Sequence, residues 1–155
     1  LVVIKGRRRI GKSRLAEEFG KPYISYTITG LPPGPKVTAQ NQREHFAAKM
    51  QKYFTIPGLQ NLTDWSELFW NLAQQTKKGR VIIILDEINW MGSKDATFLG
   101  KLKTAWDEYF KLNPKLIMIL SGSMSAWIEK NILSSTAFVG RISLDLTLQE
   151  LPLYE

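Results

Sequence analysis

Gly6-Arg7-Arg8-Arg9-Ile10-Gly11-Lys12-Ser13 places four residues between two glycines and follows them with a lysine and a hydroxyl, the pattern G-x-x-x-x-G-K-[ST]. An apolar segment, Leu1-Val2-Val3-Ile4, leads into it, and a helix-forming segment, Ser13-Arg14-Leu15-Ala16-Glu17-Glu18-Phe19, leads out. Strand, glycine-rich turn and helix together let several backbone N–H groups converge on one phosphate. Gly6 and Gly11 allow backbone angles and close approaches that a side chain forbids. The positive end of the following helix adds to the attraction. The pattern therefore assigns Gly6, Arg7, Arg8, Arg9, Ile10, Gly11, Lys12, Ser13 and Arg14 to a phosphate-binding segment. Within it Lys12 reaches the β- and γ-phosphates, where its charge also serves catalysis, and the Ser13 hydroxyl ligates Mg²⁺. The competing reading, a basic surface turn, does not account for the flanking strand and helix.

The charge distribution agrees. The chain has 155 residues and a net charge of +7, which at first suggests nucleic acid. Six of the 21 basic residues, however, fall within residues 5–14, and the other 15 nearly balance the 14 acidic ones. The excess sits where a polyphosphate needs it, and is weak grounds for a nucleic-acid surface. The length suits one domain with a real core. No run of 18 apolar residues occurs, so nothing spans a membrane, and no signal peptide is visible; the location expected is cytoplasmic. The absence of cysteine excludes disulfides and thiolate metal sites. The single histidine, His45, has no histidine partner for a metal and is expected on a half-exposed helix face.

Strands and helices alternate along the chain. Strands are expected at residues 1–4, 23–28, 81–85, 116–120 and 142–146, from their β-branched and aliphatic content. Helices are expected at 13–19, 38–54, from Asp64 to Lys77, and at 95–111, with a short one carrying Met124, Trp127, Ile128 and Ile132. Phe46, Ala47, Met50, Tyr53 and Phe54 share one helical face. Asp64 with Glu67 resembles a capping box. The apolar strands lack two-residue alternation, which indicates a mostly parallel sheet covered on both faces: an α/β three-layer sandwich.

Val81-Ile82-Ile83-Ile84-Leu85-Asp86-Glu87 is a buried strand ending in two carboxylates, a Walker B pattern. Ligands of open α/β sheets bind at the carboxyl ends of strands. Asp86 is thereby placed beside the phosphate loop to orient Mg²⁺ or its waters. Glu87 is placed to take a proton from, or orient, the water attacking the γ-phosphate. Ser121 and Ser123 follow the next buried strand and reach the same edge; Ser121 is the first choice for a contact to the γ-phosphate or the attacking water. The alternative for Ser123 is a helix N-cap.

These motifs, in the order Gly-Arg-Arg-Arg-Ile-Gly-Lys-Ser, Ile-Leu-Asp-Glu-Ile-Asn-Trp-Met, Leu-Ser-Gly-Ser-Met-Ser and then Gly140-Arg141 before a strand, resemble the archaeal-type P-loop ATPase family, a branch of the AAA+/STAND group. The resemblance covers nearly the whole chain. It implies the P-loop NTPase fold with five strands in the order 5-1-4-3-2, and ATP as cofactor; no Asn-Lys-x-Asp guanine-reading motif is present. It implies that Arg141 acts as an arginine finger on a neighbouring subunit's nucleotide, against the alternative that it pairs with a nearby carboxylate such as Asp145. It also implies that the chain is an ATPase core whose relatives continue past Leu151-Pro152-Leu153-Tyr154-Glu155 into a lid and effector domains. A homo-oligomer, and DNA contact through such further domains, are left open. The function expected is Mg²⁺-dependent ATP hydrolysis coupled to an effector; the alternatives are a slow nucleotide switch and a nucleic-acid-binding module.

Overall fold

The computed structural model describes residues 1–150. Five parallel strands form one sheet: β1 (Val2–Lys5), β2 (Ile24–Thr29), β3 (Val81–Asp86), β4 (Ile117–Gly122) and β5 (Leu144–Thr147). Their order is β2-β3-β4-β1-β5, the expected order counted from the other edge. Thr29 pairs with Asp86, and Lys5 pairs with both Gly122 and Thr147, so the carboxyl ends of the strands finish level.

Side chains of the central strands divide between two layers. Val3, Val81, Ile83, Leu85, Met118 and Leu120 enter the larger core, under α2 (Ala39–Tyr53), α3 (Trp65–Gln75) and α5 (Phe98–Glu108). Ile4, Ile82, Ile84 and Ile119 point the other way, where Ala16 of α1 (Lys12–Gly20) meets them. All six residues of β3 are buried, as a strand covered on both faces requires. Phe46, Trp65, Phe69 and Phe98 centre the larger core, with ring centroids 4.8 to 5.8 Å apart, the spacing at which aromatic quadrupoles attract.

Several local details differ from the sequence expectations. The helix expected over 95–111 begins at Phe98 and ends at Glu108, because the Asp95 carboxylate captures the Thr97 N–H and hydroxyl and holds a turn there. A separate turn, α4 (Ile88–Met91), follows the paired carboxylates. After β4, α6 (Ser125–Ile128) widens into a π-helical turn, Glu129–Leu133. Met124, expected on the short helix with Trp127, Ile128 and Ile132, precedes α6 as its N-cap residue and is exposed. The last strand starts two residues late, at Leu144. Asp64 caps α3 through the Ser66 N–H at 2.7 Å, but the reciprocal capping box is formed by Thr38 and Asn41 on α2. Tyr53 leaves the apolar face: it is 44% exposed, and its hydroxyl bonds both the N–H and the C=O of Thr27.

No helix among the described residues is long and apolar enough to cross a membrane. The segment 151–155, where a continuation into a lid is expected, lies outside the described residues.

Candidate functional site

The loop between β1 and α1 is shaped by three residues with positive φ: Gly6 at +152°, Arg9 at +61° and Gly11 at +99°. A Cβ on Gly6 would also lie 2.7 Å from the Leu148 carbonyl oxygen, so the loop packs directly on the backbone that follows β5. Ile10 packs beneath Gly6. Lys12 is buried, and its Nζ donates to the carbonyls of Gly6 at 2.9 Å and Arg7 at 2.5 Å, bracing the loop from within. Burial lowers its pKa, with the charges of Glu87 and Asp86 acting in the opposite sense. Arg7, Arg8, Arg9 and Arg14 are exposed. The Arg8 guanidinium lies 5.8 Å from the Trp90 ring centroid, within cation–π range. A cleft of ≈ 380 Å³ is lined by Arg8, Arg9, Gly11, Lys12, Ser13, Arg14 and Glu87.

Asp86 ties this loop to the far strand. Its Oδ2 accepts from the Ser13 hydroxyl at 2.7 Å, and its Oδ1 accepts from the Ser121 hydroxyl at 2.7 Å and from the Glu87 N–H at 3.0 Å. A hydroxyl and a carboxylate meeting beside a phosphate loop are hard oxygen donors of the kind Mg²⁺ takes when phosphates and waters complete its shell. Ser13 and Asp86 therefore fit the metal expected of them.

Glu87 has φ +51°, the left-handed region that a side chain enters only at a cost of about 1–3 kcal/mol. The turn swings its carboxylate off the strand axis, and Oε2 accepts from the Ser123 hydroxyl at 3.0 Å and more distantly from the Ser123 N–H at 3.4 Å. Gly30 closes the turn from behind. Its N–H donates to the Asp86 carbonyl at 2.9 Å, and a Cβ there would lie 2.8 Å from the Glu87 carbonyl.

The structure thus brings the loop, Asp86, Glu87 and both serines together. Ser121, expected to face the γ-phosphate, is fully buried with its hydroxyl given to Asp86. Ser123 reaches Glu87 instead. No local sequence signal distinguishes the two: they are two residues apart and alternation would give them the same face. The difference is that β4 ends at Gly122, which keeps Ser121 within the sheet beside Asp86 and leaves Ser123 beyond the strand end.

Arg141 lies apart from the loop. The Ser143 N–H donates to the Leu1 carbonyl at the amino end of the sheet, and Arg141 precedes that point. It pairs with Asp107, at 2.7 Å through Nε and 2.8 Å through Nη2, whereas Asp145 faces Lys5. His45 is half-buried beside the Thr29 carbonyl, with its pKa lowered by burial. No cluster of three metal-ligating side chains exists among the described residues.

A family model described as an AAA domain matches residues 1–155. A search of curated proteins found no match. Among solved structures, the chain is similar to the Walker-type ATPase PABY2304 of Pyrococcus abyssi, with a TM-score of 0.65 and 20% identity over 95% of this chain and 48% of that one. It is similar to the ORC2 protein of Aeropyrum pernix, in its ADPNP–ADP complexes, with a TM-score of 0.57 and 18% identity over 95% of this chain and 41% of that one. It is also similar to RuvB of Thermotoga maritima, with a TM-score of 0.54 and 13% identity over 96% of this chain and 37% of that one. The chain spans less than half the length of each. At these identities the likeness is one of fold.

Proposed function

The chain belongs to the AAA domain family, a family of ATPase domains, and from that premise we propose that residues 6–14 bind ATP with Mg²⁺ and that Glu87 promotes its hydrolysis. The observation that carries this reading is the 2.7 Å contact between Ser13 and Asp86, which joins the phosphate loop to the carboxylate strand. Lys12, already buried and cationic, exchanges the Gly6 and Arg7 carbonyls for β- and γ-phosphate oxygens. Ser13 and Asp86 hold the metal, which when bound neutralises charge on those oxygens. Ser121 positions Asp86 by occupying its second oxygen. Glu87 lines the same cleft and accepts a proton from the attacking water. The exposed arginines of the loop draw the polyanion in.

The chain acts in this reading as the core of a longer protein, coupling nucleotide state to an attached effector, with any DNA contact made by other domains. A slow nucleotide switch is the second reading, favoured by one observation: the Glu87 carboxylate is engaged by Ser123 rather than free.

Equilibrium binding of ATP, with and without Mg²⁺, tests the assignment. Wild-type protein should bind, and Lys12→Ala, folded but lacking the charge opposite the β- and γ-phosphates, should not. Equal affinity in the two would remove the basis for this site.

A further inference from the structure

Asn89 carries a buried amide for which the fold provides no use. The residue is 3% exposed, and neither its Oδ1 nor its Nδ2 has a hydrogen-bond partner among the described residues. Leaving such groups buried and unpaired costs free energy, and an apolar side chain of similar size would avoid that cost. Its position is specific. Asn89 lies on α4, two residues beyond Glu87, and presses on the tip of β4: a Cβ on Gly122 would come within 2.5 Å of the Asn89 Oδ1. The next residue, Ser123, is the one that holds the Glu87 carboxylate, through a 3.0 Å bond from its hydroxyl and a 3.4 Å contact from its N–H.

We propose that Asn89 is a positioning residue for Glu87, providing a donor and an acceptor to the Gly122–Ser123 backbone when Ser123 releases the carboxylate. This rests on the reading of Glu87 as the proton acceptor. A carboxylate oxygen already taken by the Ser123 hydroxyl and N–H is not free to meet a water molecule, so the arrangement described is the held state. Releasing Glu87 requires the Ser123 hydroxyl and N–H to turn elsewhere, and the nucleotide's γ-phosphate is the acceptor that draws them. That turn rotates the Gly122–Ser123 peptide, whose polar groups then need partners away from solvent. Asn89 stands against that peptide with both a donor and an acceptor free. Its amide is unpaired in the held state and paired in the released one, which biases the pair of states toward release once nucleotide is bound.

The test compares wild type, Asn89→Leu, Ser123→Ala and the double variant by ATP affinity, single-turnover hydrolysis and thermal unfolding. Asn89→Leu should unfold no earlier than wild type and bind Mg²⁺–ATP with wild-type affinity. It should hydrolyse ATP about tenfold more slowly, the size of one lost buried hydrogen bond. In the Ser123→Ala background, where Glu87 keeps only the 3.4 Å contact from the backbone N–H, the same substitution should have a smaller effect on hydrolysis than in wild type. Asn89→Gln, which keeps the amide, should recover part of the rate. If Asn89→Leu does not fold, Asn89→Ala carries the same comparison. Wild-type hydrolysis in the folded variant, or effects of the two substitutions that simply multiply, would overturn the proposal while leaving the nucleotide site intact. A wild-type chain that neither binds nor hydrolyses ATP would overturn the site and the proposal together.

Discussion

Arg141 grips Asp107, 34 positions earlier, with two parallel hydrogen bonds of 2.7 and 2.8 Å. The fork geometry matches a carboxylate as it would match a phosphate. Lys103 adds a third contact to the same carboxylate at 3.1 Å. The guanidinium and this ammonium hold the Asp107 carboxyl well below the usual carboxylate range.

A pH dependence follows from that shift. A carboxyl whose pKa is depressed in the folded state stabilises the fold at pH values above its unfolded pKa, near 3.9, and loses that contribution as pH falls through the folded value. Thermal unfolding of wild type and Asp107→Asn should therefore differ at neutral pH and converge on acidification below about pH 4. Curves that stay equally separated at low pH would mean that packing, not charge, distinguishes them.

The two neighbouring carboxylates should separate in function. Glu87→Gln is expected to bind ATP and to hydrolyse it at least about a hundredfold more slowly, the scale of losing a proton acceptor. Asp86→Asn is expected to lose the Mg²⁺-dependent part of its affinity, because its oxygen meets the Ser13 hydroxyl. Indistinguishable binding by the two variants would contradict this division.

Gly30→Ala should act on Glu87 from behind. The added methyl would stand 2.8 Å from the Glu87 carbonyl and 3.0 Å from the Trp90 Cβ. Overpacking of this kind costs about 1–3 kcal/mol, and here it displaces the turn that aims the carboxylate. Hydrolysis should fall while ATP affinity, set by the loop, holds. Normal turnover in a destabilised variant would show that the turn tolerates displacement.

If Arg141 acts on a neighbouring copy's nucleotide, mixing Arg141→Ala with Lys12→Ala subunits should restore part of the activity that each lacks alone. Its engagement by Asp107 means that the guanidinium must exchange partners to do so. Activity that stays flat on mixing would leave the ion pair as its whole role.

Sequence pattern made some of these features legible and hid others. Residues 6–13 and 81–87 were readable because each motif is contiguous and its strand lies next to it in the chain. The contacts that tune the site are not contiguous. Ser123 meets Glu87 across 36 positions and Ser121 meets Asp86 across 35, and only the sheet register decides which serine goes where. Arg141 chose Asp107 over Asp145 because β5 pairs in parallel with β1, which turns Asp145 toward Lys5. The capping box at Thr38 escaped notice because Asn41 fills the place usually held by Glu or Gln. The helix start at Phe98 depended on Asp95 competing for backbone N–H groups that a helical pattern would claim.

The interposition of β4 between β1 and β3 gives the site its gauge. Adjacent strands lie about 4.8 Å apart, so the root of the phosphate loop and the root of the carboxylates stand about 10 Å apart, a width fixed by peptide hydrogen bonds. Side-chain packing contributes little to that figure. The outer helices can therefore be repacked or shifted without detuning the span across which the two halves face each other. What such shifts can alter is the loop at the tip of β4, which projects into the middle of the gap.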